Sequence, residues 1–192
     1  MKLKAGPGTA PRDLDPWAAR GFRLRLDFNA LLDGEAAFLR FAEALPDGTR
    51  QAIDFIEDPF PYDPAAWAKA QRESGLALAA DRDAATASPD FIAVVKPALH
   101  DPAPILRRAP RAAFTSYLDH PLGVAWAAFC QAEACRDCPD RIMAGGLLSW
   151  HAYAPDDFSA ALGFAGARFV PPAGPGLGFG HLLESLPWKP LT

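Results

Sequence analysis

The chain has 192 residues, half of them hydrophobic, and a formal net charge of −4; that is enough for one domain with a sizeable core. No block of about five or six like charges and no basic excess is present, which excludes the electrostatic footprint of a nucleic-acid or membrane-surface binder. No run of about 18 apolar residues occurs, so no membrane-spanning helix is expected.

Lys2 and Lys4 open the chain, and Gly6, Pro7, Gly8 and Pro11 follow where a secretory leader would carry an apolar stretch. The expected compartment is the cytoplasm. Short apolar runs then alternate with helical patterns, the signature of βα units around a parallel sheet. Strands are expected over 1–5 and 22–28. After Asp33, the residues Ala37, Phe38, Phe41, Ala42 and Leu45 fall on one helical face. A strand over 52–57 precedes a helix over 64–74, with Asp63 as N-cap, Pro64 at the first helical position and Gly75 as the stop. Strands over 76–81 and 91–96 follow. Asp101 and Pro102 repeat the helix-start signal. A strand over 112–116, a helix over 121–134 that is apolar on most sides around Trp126 and Phe129, and a strand over 144–148 complete the series. Residues 171–180 are rich in Gly and Pro and read as an ordered loop, because Leu182, Leu183, Leu186 and Trp188 need a surface behind it.

The seven strand candidates are mostly apolar throughout, as strands covered on both faces are. A closed (β/α)8 barrel has eight units and typically about 250 residues. The expected fold is therefore α/β: one domain, 1–192, forming a partial TIM-type barrel of about seven strands.

Cys130, Cys135 and Cys138 have C-x4-C-x2-C spacing but no fourth ligand, so they read as free thiols on a helix and its end rather than a metal centre. His100, His120, His151 and His181 read as scattered loop residues, of which His151 is the one placed to reach the site discussed next.

Five charged residues close five apolar runs: Lys4, Asp27, Glu57, Asp81 and Lys96. Side chains alternate across a strand, so Lys2 shares a face with Lys4, and Asp27 with Arg25 and Asn29. If the terminal residues face the mouth of a barrel, Arg25 lies beneath the acids as a counter-charge. Like charges held close repel unless a cation sits between them. Three carboxylates suit Mg²⁺, which prefers oxygen ligands and keeps open positions, and no His or Cys at these strand ends favours zinc. Such an ion stabilises charge that develops on a substrate carboxylate as its α-proton leaves, and a lysine beside a bound cation is suited to act as the base.

In this order the residues resemble the barrel domain of the enolase superfamily, in the muconate-lactonising branch. The motifs are Lys2-Leu3-Lys4, Leu24-Arg25-Leu26-Asp27-Phe28-Asn29, Phe55-Ile56-Glu57-Asp58-Pro59, Asp81, Val95-Lys96-Pro97-Ala98, Thr115-Ser116-Tyr117-Leu118-Asp119 before Leu122-Gly123, and the Gly-Pro-Gly-Leu-Gly run from Gly174 to Gly178. Within that branch the likeness is greatest to the o-succinylbenzoate synthase family. The resemblance implies Mg²⁺ (or Mn²⁺) held by Asp27, Glu57 and Asp81, with Lys4 as general base and then acid. Lys96 is implied as the cation that stabilises the enediolate. It also implies substrate binding by Lys2, Asn29, Ser116 and the backbone at Gly145 and Gly146. The implied reaction is the syn dehydration of a hydroxycyclohexadiene carboxylate in menaquinone biosynthesis, on a small carboxylate substrate without nucleic acid or membrane.

Three departures stand out, the first being a link from Asp81 to Lys96 shorter than the family's, which suggests a trimmed helix. Asp81-Arg82-Asp83 replaces the family's usual Asp-Glu-Ser, which puts a cation beside the site. The family's N-terminal α+β capping domain and first barrel strand have no counterpart in the 192 residues, so a missing N-terminal segment or an oligomer that completes the barrel is expected. The alternatives are a dipeptide epimerase or N-acylamino acid racemase on the same barrel, or an inactive remnant serving as a structural or binding module. Lys96-Pro97, and the lack of an acidic pair directly after 148, favour the synthase.

Overall fold

The computed structural model describes residues 1–149, 152–166 and 168–190. The fold is α/β, assembled from strands and helices in alternation as expected, and the chain divides into two compact units.

The first unit comprises residues 1–95 and 103–112. Its strands β1 (Lys2–Lys4), β2 (Leu24–Asp27), β3 (Ile53–Glu57), β4 (Leu78–Ala80) and β5 (Ile92–Val95) lie side by side in chain order, all parallel. Between them come a 3₁₀ turn (Pro11–Leu14) with the short helix α1 (Asp15–Ala18), then α2 (Gly34–Glu43), α3 (Asp47–Ala52) and α4 (Pro64–Ser74); α5 (Pro102–Arg108) follows β5. Periodicity located α2 and the end signals located α4, whereas α1 and α3 are too short to leave a repeating apolar stripe.

Strand alternation sorts the side chains. Leu24, Leu26, Ile56, Leu78 and Ala80 enter a buried layer with Phe38, Phe41 and Trp67 of the helices. Aromatic edges lock this layer: Phe28 meets Phe41 at 5.1 Å and Trp67 meets Phe91 at 5.3 Å between ring centres. Residues of opposite parity, Arg25, Asp27, Phe55 and Glu57, therefore occupy the other face of the sheet. Arg25 is engaged on that face. Its Nε donates to Asp54 Oδ2 at 2.8 Å and its guanidinium stacks 4.7 Å from the Phe55 ring centre.

Helix α4 starts and stops where its end signals lie. Asp63 Oδ1 accepts the Ala66 N–H at 2.7 Å, and Gly75 takes the left-handed conformation at φ 67°. Asp63→Ala should cost about 0.5–2 kcal/mol, lowering the melting temperature by roughly 2–4 °C per kcal/mol in a chain of this length; a thermal melt followed by circular dichroism checks it. The link from β4 to β5 holds turns and no α-helix, in place of the expected trimmed helix. Arg108 replaces helical bonding there, donating to the carbonyls of Ala85, Thr86 and Ala87 at 2.6, 3.1 and 2.7 Å.

The second unit comprises residues 96–102 and 113–192. It takes up β6 (Ala112–Thr115) from its second residue, then α6 (Pro121–Asp137), β7 (Ile142–Gly146), α7 (Asp157–Ala161), an antiparallel hairpin of β8 (Gly163–Ala165) and β9 (Arg168–Val170), and α8 (Gly180–Glu184). Strand β7 ends two residues earlier than expected. The hairpin strands were not foreseen. Val124 and Ala127 of α6 pack with Leu147, Leu162 and Phe169. Trp126 and Phe129, expected inside a packed layer, are exposed and stack on each other at 5.6 Å. The Gly/Pro loop is ordered as expected: at Gly178, φ 80°, a Cβ would lie 2.5 Å from the Pro172 carbonyl oxygen, so only glycine fits. Cys130 and Cys135 lie on α6 and Cys138 at its C-cap, all three as free thiols. His120 caps the N-terminus of α6, accepting the Leu122 N–H, and His181 lies on α8 rather than in a loop. His151 falls outside the described residues. No helix among the described residues is long and apolar enough to cross a membrane.

Candidate active site

The register of the first three strands brings the charged ends together. Lys4 pairs with Asp27 across β1 and β2, and Asp27 with Glu57 across β2 and β3. Glu57 lies opposite Ala79, and Asp81 follows two residues later on the same face. The ladder continues past the strands: Ala5 donates to the Asp27 carbonyl, Phe28 to that of Glu57 and Asp58 to that of Ala79.

Asp27 and Glu57 are only 2 % and 1 % exposed. Between them sits Lys2, whose Nζ is 2.8 Å from both Asp27 Oδ2 and Glu57 Oε1. Lys4 Nζ holds Asp27 Oδ2 at 2.5 Å and the Asn29 side-chain oxygen at 3.2 Å. The Asn29 backbone N–H donates to Asp27 Oδ1 at 3.0 Å, so both Asp27 oxygens are engaged. Lys4 remains 66 % exposed along its side chain, with its ammonium at the open side of the group.

The electrostatics follow from burial and these partners. Burial alone would raise Asp27, but hydrogen bonds from Lys2 and Lys4 outweigh it and hold the carboxyl below its ordinary range. Burial pushes the Glu57 carboxyl up to about 8, against the pull of Lys2, with the charges of Asp27 and Asp81 adding to the rise. Burial would lower Lys2, yet Glu57 and Asp27 hold its ammonium above the usual lysine range. Two buried acids thus share one cation, and Glu57 bears the unrelieved cost.

That pair suits a hard divalent cation, because the donors are carboxylate oxygens and the Lys2 ammonium already takes the place of a positive ion between them. Asp81 acts on Glu57 and Asp58 through its charge. Among the described residues, no three His, Cys, Asp or Glu side chains are arranged as a ligand set for a metal ion. The structure therefore brings Lys2, Lys4, Asp27, Asn29 and Glu57 together, with Asp81 near enough to act on Glu57 through its charge.

The other expected site residues belong to the second unit. Lys96 follows β5, and its Nζ lies 5.4 Å from the centre of the Tyr117 ring. Ser116 Oγ is hydrogen-bonded to Ser149 Oγ at 2.5 Å, and Gly145 and Gly146 end β7. The partnership with Ser149 went unforeseen, since nothing in the spacing of two serines so far apart announces it. Asp58 was also passed over as a functional residue. The signal was available: an acid between Glu57 and Pro59 in the same motif.

No family model matches the chain. It is 36 % identical over 183 residues to the o-succinylbenzoate synthase of Bdellovibrio bacteriovorus, across 91 % of this chain and 55 % of that protein. In sequence the chain is thus similar to an enzyme of the enolase superfamily. Its fold matches a muconate cycloisomerase variant with a TM-score of 0.66 at 18 % identity, covering 92 % of this chain and 54 % of that one. It also matches the o-succinylbenzoate synthase of Thermosynechococcus elongatus, whose structure carries Mg in the active site, with a TM-score of 0.50 at 25 % identity over 79 % of this chain and 56 % of that one. The chain thus spans about half the length of the relatives it matches, and its α/β fold is that of the TIM-type barrel domain of this superfamily.

Proposed function

We propose that this chain is the barrel domain of a Mg²⁺-dependent carbon–oxygen lyase of the o-succinylbenzoate synthase kind, acting on a hydroxycyclohexadiene carboxylate in menaquinone biosynthesis, in the cytoplasm. The observation that carries this reading is the group in which Lys4, Asp27 and Glu57, at the C-terminal ends of three adjacent parallel strands, are joined by Lys2 and Asn29, at the edge of such barrels where chemistry is placed. Likeness to o-succinylbenzoate synthases adds to it.

Asp27 and Glu57 would hold the metal, with Asp81 recruited as the third acid. Bound there, Mg²⁺ would supply charge stabilisation for the substrate carboxylate. Lys4 Nζ stands at the open side of the group and, as the neutral amine with Asp27 given over to the metal, takes the proton α to that carboxylate. The electron pair left behind spreads into the carboxylate as an enediolate, which Lys96 stabilises as a cation. The hydroxyl then leaves from the same face, and Lys4 returns its proton to it, so that one water is released and the ring becomes aromatic. Lys2 and Asn29 orient the substrate, and the family resemblance gives Ser116 and the backbone of Gly145 and Gly146 the role of binding the succinyl carboxylate.

The test is an assay of the purified protein for conversion of the cyclohexadiene substrate, followed by the ultraviolet change on aromatisation. Activity is expected with Mg²⁺ or Mn²⁺, lost on chelation and restored by metal. Metal-dependent epimerisation of N-acylamino acids or dipeptides without dehydration would replace this reading with the epimerase one; no reaction with either substrate class would favour the non-catalytic module.

A further inference from the structure

Asp58 is 4 % exposed and carries an acid into the packed rim behind Glu57, at φ 42°, in the left-handed region. Burying an ionisable group there is costly unless it is hydrogen-bonded. The partners of Asp58 are specific. Oδ1 accepts the Asp81 N–H at 3.0 Å and Oδ2 accepts the Arg82 N–H at 3.2 Å. The Arg82 Nε lies 3.8 Å from the same Oδ2. The Asp58 backbone is bonded on both sides as well: its N–H donates to the Ala79 carbonyl at 3.0 Å, and its carbonyl accepts the Ala30 N–H at 2.6 Å. One residue thus ties the segment after β2 to the end of β4 and the start of the loop that follows it.

We propose that Asp58 is a positioning residue that fixes Asp81 relative to Asp27 and Glu57 for cation binding, with Arg82 as its counter-charge. This rests on the metal-dependent reading above. It gives Arg82 a place: the cation that replaces an acid in the family pattern is turned toward the buried Asp58 carboxylate. It also accounts for an acid directly beside Glu57 in the chain. Alternation turns its side chain away from the Lys2 group and onto the backbone of the neighbouring loop. Asp58 touches no reacting atom in this scheme. It acts through the backbone that carries Asp81.

The experiment measures Mn²⁺ uptake by the whole chain with electron paramagnetic resonance, alongside thermal melts, for wild type, Asp58→Asn and Asp58→Ala. Loss of a supporting partner typically weakens metal binding about 10–100-fold; that loss is expected for Asp58→Ala. A smaller loss is expected for the isosteric Asp58→Asn, which keeps one acceptor and gives a second measure should the alanine variant fail to fold. A lower melting temperature with wild-type Mn²⁺ affinity in the folded variants would overturn the positioning role and leave Asp58 as a structural tie. A wild-type chain that takes up no Mn²⁺ would instead overturn the metal-dependent reading itself, before any variant is made.

Discussion

Lys4→Ala should reduce dehydratase activity by about 10²–10⁴-fold, the range for loss of a general base, while leaving the melting temperature close to wild type. The asymmetry comes from where Lys4 sits. Its side chain is largely exposed, and the ion pair it makes with Asp27 is half in solvent, where such pairs contribute little to stability. Asp27 keeps Lys2 and the Asn29 N–H after the substitution, so no buried carboxylate is stranded. The loss should fall on kcat more than on KM, because the proton transfer is made only in the transition state. A second signature separates the base from a binding lysine. In D₂O, exchange of the substrate α-proton should stop in Lys4→Ala. Exchange at the wild-type rate, or a loss of less than tenfold, would rule Lys4 out as the base.

Glu57→Gln should do the reverse: raise the thermal stability of the metal-free protein and abolish metal-dependent activity. In the fold Glu57 holds its proton up to about pH 8, against an ordinary value of 4.5, so the folded state binds more protons than the unfolded chain between those values. Its contribution to stability is therefore greatest at the acid end of that window and declines as the pH rises through about 8. Asp58, also raised by burial, slopes in the same direction. Asp27, held low, contributes stability that is lost only as the pH falls below the ordinary carboxylate range, and Lys2, held high, contributes stability lost only above the usual lysine range. Glu57 thus sets most of the slope near neutrality. Replacing it by the neutral isostere should flatten the curve of melting temperature against pH between about 5 and 8 and raise it at the upper end by several degrees, at roughly 2–4 °C per kcal/mol for a chain of this length. Mg²⁺ affinity should fall by more than the ~10–100-fold cost of losing a supporting partner, because one of the proposed ligands itself is removed. Calorimetric melts in chelator across that range, with and without added Mg²⁺, read both effects. A variant less stable than wild type at pH 8 would show that the Lys2 ion pair outweighs the burial cost. Such a trade of stability for function is common where an active site buries charge.

Much of this was legible in the chain itself. Helix α4 declared its ends through Asp63, Pro64 and Gly75, because capping and the left-handed stop are local chemistry that residue type alone decides. The strand-end acids were legible for a similar reason. A period of two fixes which side chains share a face, so Asp27 and Glu57 follow once β2 and β3 are placed. Short helices escaped, as α1 and α3 show, since so few residues do not span enough of a repeat to reveal a period. Trp126 and Phe129 were misplaced for a different reason. Composition marks a residue as apolar, but which helix face meets a partner depends on what the rest of the chain brings to it.

The amino-acid order determined the kinds of groups that would stand at the strand ends, their parity and the family pattern they spell, because spacing and side-chain chemistry are properties of the covalent chain. The tertiary structure alone decided how those groups pair. It set Lys2 between Asp27 and Glu57, turned Arg25 to Asp54, and made Asp58 the tie to the Asp81 loop. Burial, hydrogen-bond partners and the resulting shifts in proton affinity arise only when distant segments are packed within a few ångströms of one another.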